Sequence, residues 1–327
     1  MTQLDDHASA VPAAAAPGRL RFSKGHGTHN DFVLLADTRG DLDLTPELVR
    51  TLADRRAGIG GDGVIRLAPT AAVARAGETV ADRVLAEEPD AIWFMDYRNA
   101  DGSVAEMCGN GVRVFTAFAE QLGLAELADG QEFALGTRAG VKRVRKEAAG
   151  WYAVDMGPWR LPGADDGAAS GADALVRLPG WPTPRPALSV DLGNPHTVVA
   201  LAQDDELEAA DLTRMPDVEP RPPHGTNVEL VVPLGEETGP HGEPAGRLRM
   251  RVHERGVGET QSCGTGACAA ALAVRTWAAQ GTAGAVVPDT WFVEVPGGEL
   301  RVRVLAGGHV ELAGPARLVF SGEVTLA

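Results

Sequence analysis

A chain of 327 residues is long enough for two domains, each with its own core. A formal charge of −15 argues against nucleic acid or an anionic membrane as a partner, and no apolar run reaches membrane-spanning length. Three cysteines are a sparse, odd set that suits a reducing cytoplasm better than a disulfide framework. Lysine is confined to Lys24, Lys142 and Lys146, which leaves few candidates for a Schiff base.

Residues 1–18, "MTQLDDHASAVPAAAAPG", lack the basic start and long apolar core of a signal peptide and are expected to be a disordered tail. "RFSKGHG" and "DFVLLADT" then predict two strands. In "TPELVRTLADRR" Thr45 stands as N-cap, Pro46 at the first helical position and Glu47 in the first turn, so a helix is expected. "GVIRLAP" and "AIWFMDY" fit buried strands, and the Ala- and charge-rich stretch between them, residues 70–90, reads as a helical or floppy surface insertion. After "MCGNG", apolar Val112, Val114, Phe115, Phe118 and Leu122 recur at helical spacing. "EFALGT", "VKRVRKE" and "WYAVDMG" predict strands, and "GADDGAASGADA" a surface loop. Strands follow in "ALSVDLG", "HTVVALA", "TNVELVVPL" and "RLRMRVHE". "SCGTG" then opens a second apolar helix, "ACAAALAVRTWAAQ", and the chain closes on strand runs broken by "PGGE" and "PAR".

The two halves echo each other. Cys108 and Cys263 lie about half a chain apart; each precedes Gly-x-Gly and an apolar helix. Asn99 stands nine residues before Cys108, and Glu254 nine before Cys263. A diverged internal duplication accounts for this. Many strands with one apolar helix per half predict an α+β fold of two similar domains, each a curved, mainly antiparallel sheet wrapped around its helix, because several strands are joined by short turns. The expected boundaries are 19–150 plus 313–327 for one half and 151–312 for the other.

Cysteine followed by Gly-x-Gly at a helix start has a definite chemistry. The glycines let consecutive N–H groups converge, and the helix N-terminus carries about half a positive charge, which suits a carboxylate. The same field raises the thiolate fraction of an adjacent cysteine. Two such units could hold one carboxylate and flank the carbon beside it, so that a proton leaves one face and returns to the other. A lone cysteine before a helix reads better as a small hydrophobe. Cys268, inside the Ala-rich helix, keeps that reading; the doubled setting argues against it for Cys108 and Cys263.

"NADGSVAEMCGNGVR", "GNPH" at Gly193–His196 and "ERGVGETQSCGTGACA" together resemble the diaminopimelate epimerase family from about Arg21 to the end. The resemblance implies that family's two-domain fold, with the active site in the cleft between domains, and epimerisation of LL- to meso-diaminopimelate without pyridoxal phosphate or metal. It implies Cys108 and Cys263 as the thiol/thiolate pair, and Gly109 with Asn110, and Gly264 with Thr265, as backbone seats for the reacting carboxylate. It implies Asn30, Asn99, Asn194, Asn227 and Arg255 as substrate-holding residues, with Glu254 and His196 near the reacting amino group and the cysteines. The expected partner is a small-molecule substrate, with no cofactor, nucleic acid or membrane; a homodimer is the assembly left open, and the location is cytoplasmic. Some members carry Gln where this chain has Gly63, so one polar substrate contact is missing or replaced.

Each of these residues also has a plain structural reading. Arg255 could sit in a surface ion pair, Glu254 could be a strand-end acid, the asparagines are common in turns, and His196 could be a satisfied structural histidine. Other signals fall away. "GIGGDG" matches a dinucleotide fingerprint but follows a helix and leads into a strand, the reverse of the order required. His26 and His29 have no acid or cysteine cluster beside them to complete a metal site, and Cys263 with Cys268 lacks a second pair at ligand spacing. A cysteine hydrolase using one thiol and His196 leaves the second Cys-Gly-x-Gly unexplained. Proline racemase-like enzymes share the two-cysteine plan but favour histidine where this chain has Asn110.

Overall fold

A computed structural model describes residues 18–163, 171–239, 242–281 and 286–326. The expected disordered tail, apart from Gly18, and the middle of the "GADDGAASGADA" loop lie outside the described residues. The chain forms two compact units, the first from residues up to Gly27, Asp31–Gly150 and the final stretch from Ala316, the second from Thr28–Asn30 and Trp151–Pro315. Among the described residues no helix is long and apolar enough to cross a membrane.

The first unit begins with strands β1 (Arg19–Gly27) and β2 (Asn30–Ala36) and helix α1 (Pro46–Ala53). Thr45 caps α1 as its sequence predicts, its hydroxyl accepting from the Leu48 amide at 3.2 Å. Strand β3 (Gly63–Pro69) runs into two short helices, α2 (Thr70–Arg75) and α3 (Thr79–Glu87), and then β4 (Trp93–Asn99). Residues 70–90 are therefore helical. They are also less superficial than expected, because Val73 and Ala81 are buried against Phe94 in one apolar cluster. Helix α4 (Gly109–Gln121) and the hairpin β5 (Glu132–Thr137) and β6 (Gly140–Glu147) follow.

Both pairing directions occur in this unit, and β3 and β4 are antiparallel although α2 and α3 lie between them. The helix-linked strands β2 with β3, and β4 with β5, pair parallel; β3 with β4, β5 with β6, and β1 with the final strand Arg317–Thr325 pair antiparallel. Helix α4 packs against β1, β3, β4, β6 and the final strand. Ten of its thirteen residues are buried, so an apolar surface on nearly all sides is what its position demands.

The second unit repeats the plan. Its strands are β7 (Trp151–Pro158), β8 (Ala174–Arg177), β9 (Arg185–Asp191) and β10 (Pro195–Ala200); the short helix α5 (Asp204–Ala209) leads to β11 (Asp217–Glu219) and β12 (Asn227–Thr238). After β13 (Pro244–Glu254) and β14 (Gly258–Thr260) comes α6 (Gly264–Gly281), then β15 (Thr290–Val295), β16 (Gly298–Val304) and β17 (His309–Pro315). Again β10 with β12 and β13 with β15 pair parallel across helical connections, while β12–β13 and β15–β16 are antiparallel. Helix α6 lies against strands β9, β10, β12, β13, β15, β16 and β17. From Gly264 to Val274 it is buried everywhere but at Thr265, and Cys268 sits at 0% exposure among its alanines.

Candidate active site

In the first unit, Cys108 is the N-cap of α4, in extended backbone, and its Sγ accepts from the Gly111 amide at 3.4 Å. A cysteine thus takes the place usual for Ser, Thr, Asp or Asn. Helix geometry turns the first amides of such a segment away from any intrahelical acceptor, and here they belong to Gly109 and Asn110. Asn110 is buried, and its Oδ1 accepts from Arg113 Nη2 at 2.8 Å. Arg113, fully buried one turn into α4, thereby fixes the side chain of Asn110. Asn99 ends β4 and turns the chain toward the cysteine: its Nδ2 donates to Ser103 Oγ at 3.0 Å, and its carbonyl accepts from the Gly102 amide.

Gly63 opens β3 opposite Asn99. A Cβ there would lie 2.4 Å from the Arg98 carbonyl oxygen and 2.6 Å from Tyr97 Cε2. The space a side chain would need is filled by the Tyr97 ring, which gives the physical reason that this chain has glycine at the position.

In the second unit, Cys263 leads into α6, and its Sγ accepts from the Gly266 amide at 3.3 Å, the same contact as in the first unit. Thr265 Oγ1 lies 3.5 Å from that sulfur and accepts from Asn194 Nδ2 at 3.2 Å. Glu254 ends β13 as Asn99 ends β4, and it accepts a hydrogen bond from Thr260 Oγ1. Burial pushes the Glu254 carboxyl up, against hydrogen bonds from Thr260 and the Cys263 thiol. Burial, with the charges of Glu254 and Glu229, also pushes the Cys263 thiol well above its ordinary value. His196 is buried with its Nδ1 2.7 Å from Glu229 Oε1, both side chains at 0% exposure.

Asn227 is tied to backbone: its Oδ1 accepts from the Arg255 amide at 2.9 Å, and its Nδ2 donates to the Pro195 carbonyl at 3.3 Å. Arg255 is exposed, with Nη1 donating to the His224 carbonyl at 2.7 Å. Asn30 opens β2 directly after Thr28 and His29, whose φ angles of 49° and 63° make a two-residue left-handed turn. A β-branched residue at positive φ needs support. Thr28 receives it from the buried Ser262 hydroxyl at 2.7 Å and from Gly297, where a Cβ would lie 1.8 Å from the Thr28 carbonyl oxygen.

Each helix start therefore combines a sulfur, converging amides and polar side chains suited to an anionic group and a proton transfer. Sequence reading missed Glu229, Arg113 and Tyr97. Glu229 did leave a signal: a carboxylate in "NVELVV", where Asn227–Val232 are all buried. Among the described residues no group of three His, Cys, Asp or Glu side chains is placed to hold a metal ion.

The diaminopimelate epimerase family model matches residues 22–162 and 188–319. A diaminopimelate epimerase of Streptomyces coelicolor is 44% identical over 307 residues, covering 93% of this chain and 95% of its own. One from Rhodococcus jostii is 45% identical over 314 residues, covering 93% and 96%. Among solved structures, a probable proline racemase from Agrobacterium radiobacter with bound carbonate has a TM-score of 0.57 at 16% identity, covering 94% of this chain and 93% of its own, a likeness of fold alone. With the family model spanning most of its length and both cysteine motifs in place, the chain belongs to the diaminopimelate epimerase family.

Proposed function

We propose that this protein interconverts LL- and meso-diaminopimelate, with Cys108 and Cys263 as the acid–base pair. The observation that carries the reading is the repeated helix start, in which each sulfur accepts from the amide of the second glycine of Cys-Gly-x-Gly, at 3.4 Å and 3.3 Å. Inversion at an α-carbon needs a base on one face and an acid on the other. One thiolate takes the α-proton and becomes a thiol; the other thiol gives its proton to the opposite face and becomes a thiolate. Charge that develops on the substrate carboxylate in between is held by helix-terminal amides, those of Gly109 and Asn110 or of Gly264 and Thr265. Glu254 accepts from the ammonium group of the reacting centre. Asn30, Asn99, Asn194 and Arg255 hold the substrate, and Asn227 acts by fixing the Arg255 backbone.

The high identity to two diaminopimelate epimerases supports the substrate, and the sparse cysteines support a cytoplasmic location. A homodimer is the assembly we favour, because Val319 and Phe320 on the final strand expose an apolar pair. Incubating the protein with LL-diaminopimelate and, separately, with L-proline tests the reading by chiral chromatography. Formation of the meso isomer with proline untouched is expected; folded protein that leaves LL-diaminopimelate unchanged would overturn it.

A further inference from the structure

Two strand positions put a second carboxylate under the Cys263 helix start. His196 on β10 and Asn227 on β12 face each other in the parallel ladder, and Glu229 lies two residues further along β12, on the same side of the strand as Asn227. A Cβ on Gly266 would lie 2.8 Å from Glu229 Oε1 and 3.3 Å from Cys263 Sγ. The carboxylate and the sulfur therefore meet over one glycine, and Gly266 is the residue that leaves them room. Glu229 has no exposed surface, and its Oε1 contacts His196 Nδ1 at 2.7 Å. The other ring nitrogen, His196 Nε2, is buried and has no hydrogen-bond partner among the described residues.

We infer that Glu229 is a positioning residue for the Cys263 half of the reaction, holding His196 in the tautomer that carries its proton on Nδ1 and leaves Nε2 as an open acceptor. The inference rests on the proposed epimerisation for its kinetic consequence but not for its structural one. An ionised carboxylate only accepts, so the proton between the two groups belongs to Nδ1. The neutral ring then has one acceptor, Nε2, for a donor such as an ammonium group. The groups that face this pair are Glu254 from β13 and the Cys263 thiol at the start of α6, both of which interact with its charges. Burial pushes the Glu229 carboxyl up, and the hydrogen bond to His196 works against that rise.

The test is a Glu229→Gln substitution, nearly identical in shape, read by tautomer and by rate. The Gln side-chain amide would donate to Nδ1 and move the ring proton to Nε2, the wrong-tautomer effect known for carboxylate-to-amide changes beside a catalytic histidine. Nitrogen NMR of histidine-labelled full-length protein, with the His196 signals identified by their loss in His196→Gln, should show the proton on Nδ1 in the unsubstituted protein and on Nε2 in Glu229→Gln. Turnover of LL-diaminopimelate should fall about 100-fold with KM changed only slightly, and the pH profile should shift. A substitution that lowers turnover without moving the tautomer marks a packing role and overturns the inference, as does wild-type turnover in Glu229→Gln. If Glu229→Gln does not fold, a proton found on Nε2 in the unsubstituted protein overturns it directly. An unsubstituted protein that shows the Nδ1 tautomer but leaves LL-diaminopimelate untouched overturns the proposed function and leaves this assignment standing.

Discussion

The floor under Cys108 and the floor under Cys263 are built from equivalent positions and carry opposite chemistry. In the first unit the point where a Gly111 Cβ would sit is 3.2 Å from Ile65 Cδ1 and 3.7 Å from Phe32 Cζ. In the second, the equivalent point over Gly266 is 2.8 Å from Glu229 Oε1, with His196 behind it. The register makes the match plain: Phe32 pairs with Gly63 and Ile65 lies two residues on, while His196 pairs with Asn227 and Glu229 lies two residues on. Backbone and sulfur contact are conserved between the halves, and the side chains beneath have diverged. A low-dielectric floor with two carboxylates near Cys263 pushes that thiol up and favours its protonated form, while the apolar Ile65 and Phe32 side chains of the other floor carry no such carboxylates.

The largest effect expected from this asymmetry comes from removing either sulfur. Cys108→Ala and Cys263→Ala should each cost on the order of 10³-fold or more in epimerisation, since every turnover needs both an acid and a base. In heavy water the first meso product from LL-diaminopimelate should carry deuterium at its inverted carbon, because the proton delivered comes from a thiol that has exchanged with solvent. Early product that keeps the original hydrogen breaks the two-thiol scheme. Cys268→Ala, deep in α6, should leave activity nearly intact; a loss equal to that of Cys263→Ala in folded protein would reverse the roles.

Alkylation sharpens the comparison. With Cys263 held up by burial and by two carboxylates, its modification by iodoacetamide, mapped by peptide, should be slow at neutral pH and still rising above pH 9. Glu254→Gln removes one of those charges, so the rise should begin at lower pH, with about a tenfold gain at a fixed alkaline pH. A Cys263 rate equal at pH 7 and pH 10 would show that burial and the two carboxylates do not hold this thiol up.

A smaller effect separates the two glycines. Gly266→Ala drives a methyl against a buried carboxylate that is already bonded to His196, and something must move. Gly111→Ala meets the end of the Ile65 side chain at 3.2 Å, which can give way. Overpacking costs about 1–3 kcal/mol, and Gly266→Ala should fall near the upper end and Gly111→Ala near or below the lower. Thermal unfolding of the two variants checks the order; equal losses would mean that both floors are equally yielding.

Much of this was legible in the sequence because local rules were obeyed. Thr45-Pro46 caps and starts its helix, "GVIRLAP" is a strand over its full length, and both Cys-Gly-x-Gly segments open buried helices. The short pieces β8, β11 and β14 and the six-residue α5 were not legible, because such lengths leave too little periodicity to read. Parallel pairing escaped for a different reason: it depends on where a helix returns the chain, which no strand's own residues state. In the site, the sulfurs and their glycines were readable as a repeated motif. Glu229 was not, since one acid in a strand looks like its solvent face until the strand is known to be buried on both sides. Tyr97 was hidden because its role lies in filling the space beside Gly63, a contact between neighbouring strands.

The smallest expected effect is a difference in how the units answer to acid. In the first unit, burial would raise the Asp31 carboxyl, but hydrogen bonds and charge from Arg55 and Lys24 outweigh it and lower the group to about 2. Lys24 Nζ lies 2.6 Å from Asp31 and Arg55 Nη2 2.7 Å. A lowered carboxyl adds stability above its unfolded pKa, near 4, and that stability is lost as pH falls through the folded value. The second unit has the opposite sign. Glu229 and Glu254 are raised, so their contribution is fully present below the unfolded pKa and is lost as pH climbs through the folded values. Taking the protein from pH 5 to pH 3 should therefore weaken the first unit, by on the order of 1 kcal/mol or less from the partly screened Asp31, while easing the burial of two carboxylates in the second. Hydrogen exchange followed by mass spectrometry reads the two separately: peptides from β2 and β3 should lose protection toward pH 3 relative to those from β12 and β13, after correction for intrinsic rates. Asp31→Asn should remove that loss from the first unit and leave the second unchanged. If both units lose protection together, or Asp31→Asn alters neither, the two units do not differ in their ionisation as these carboxylates require.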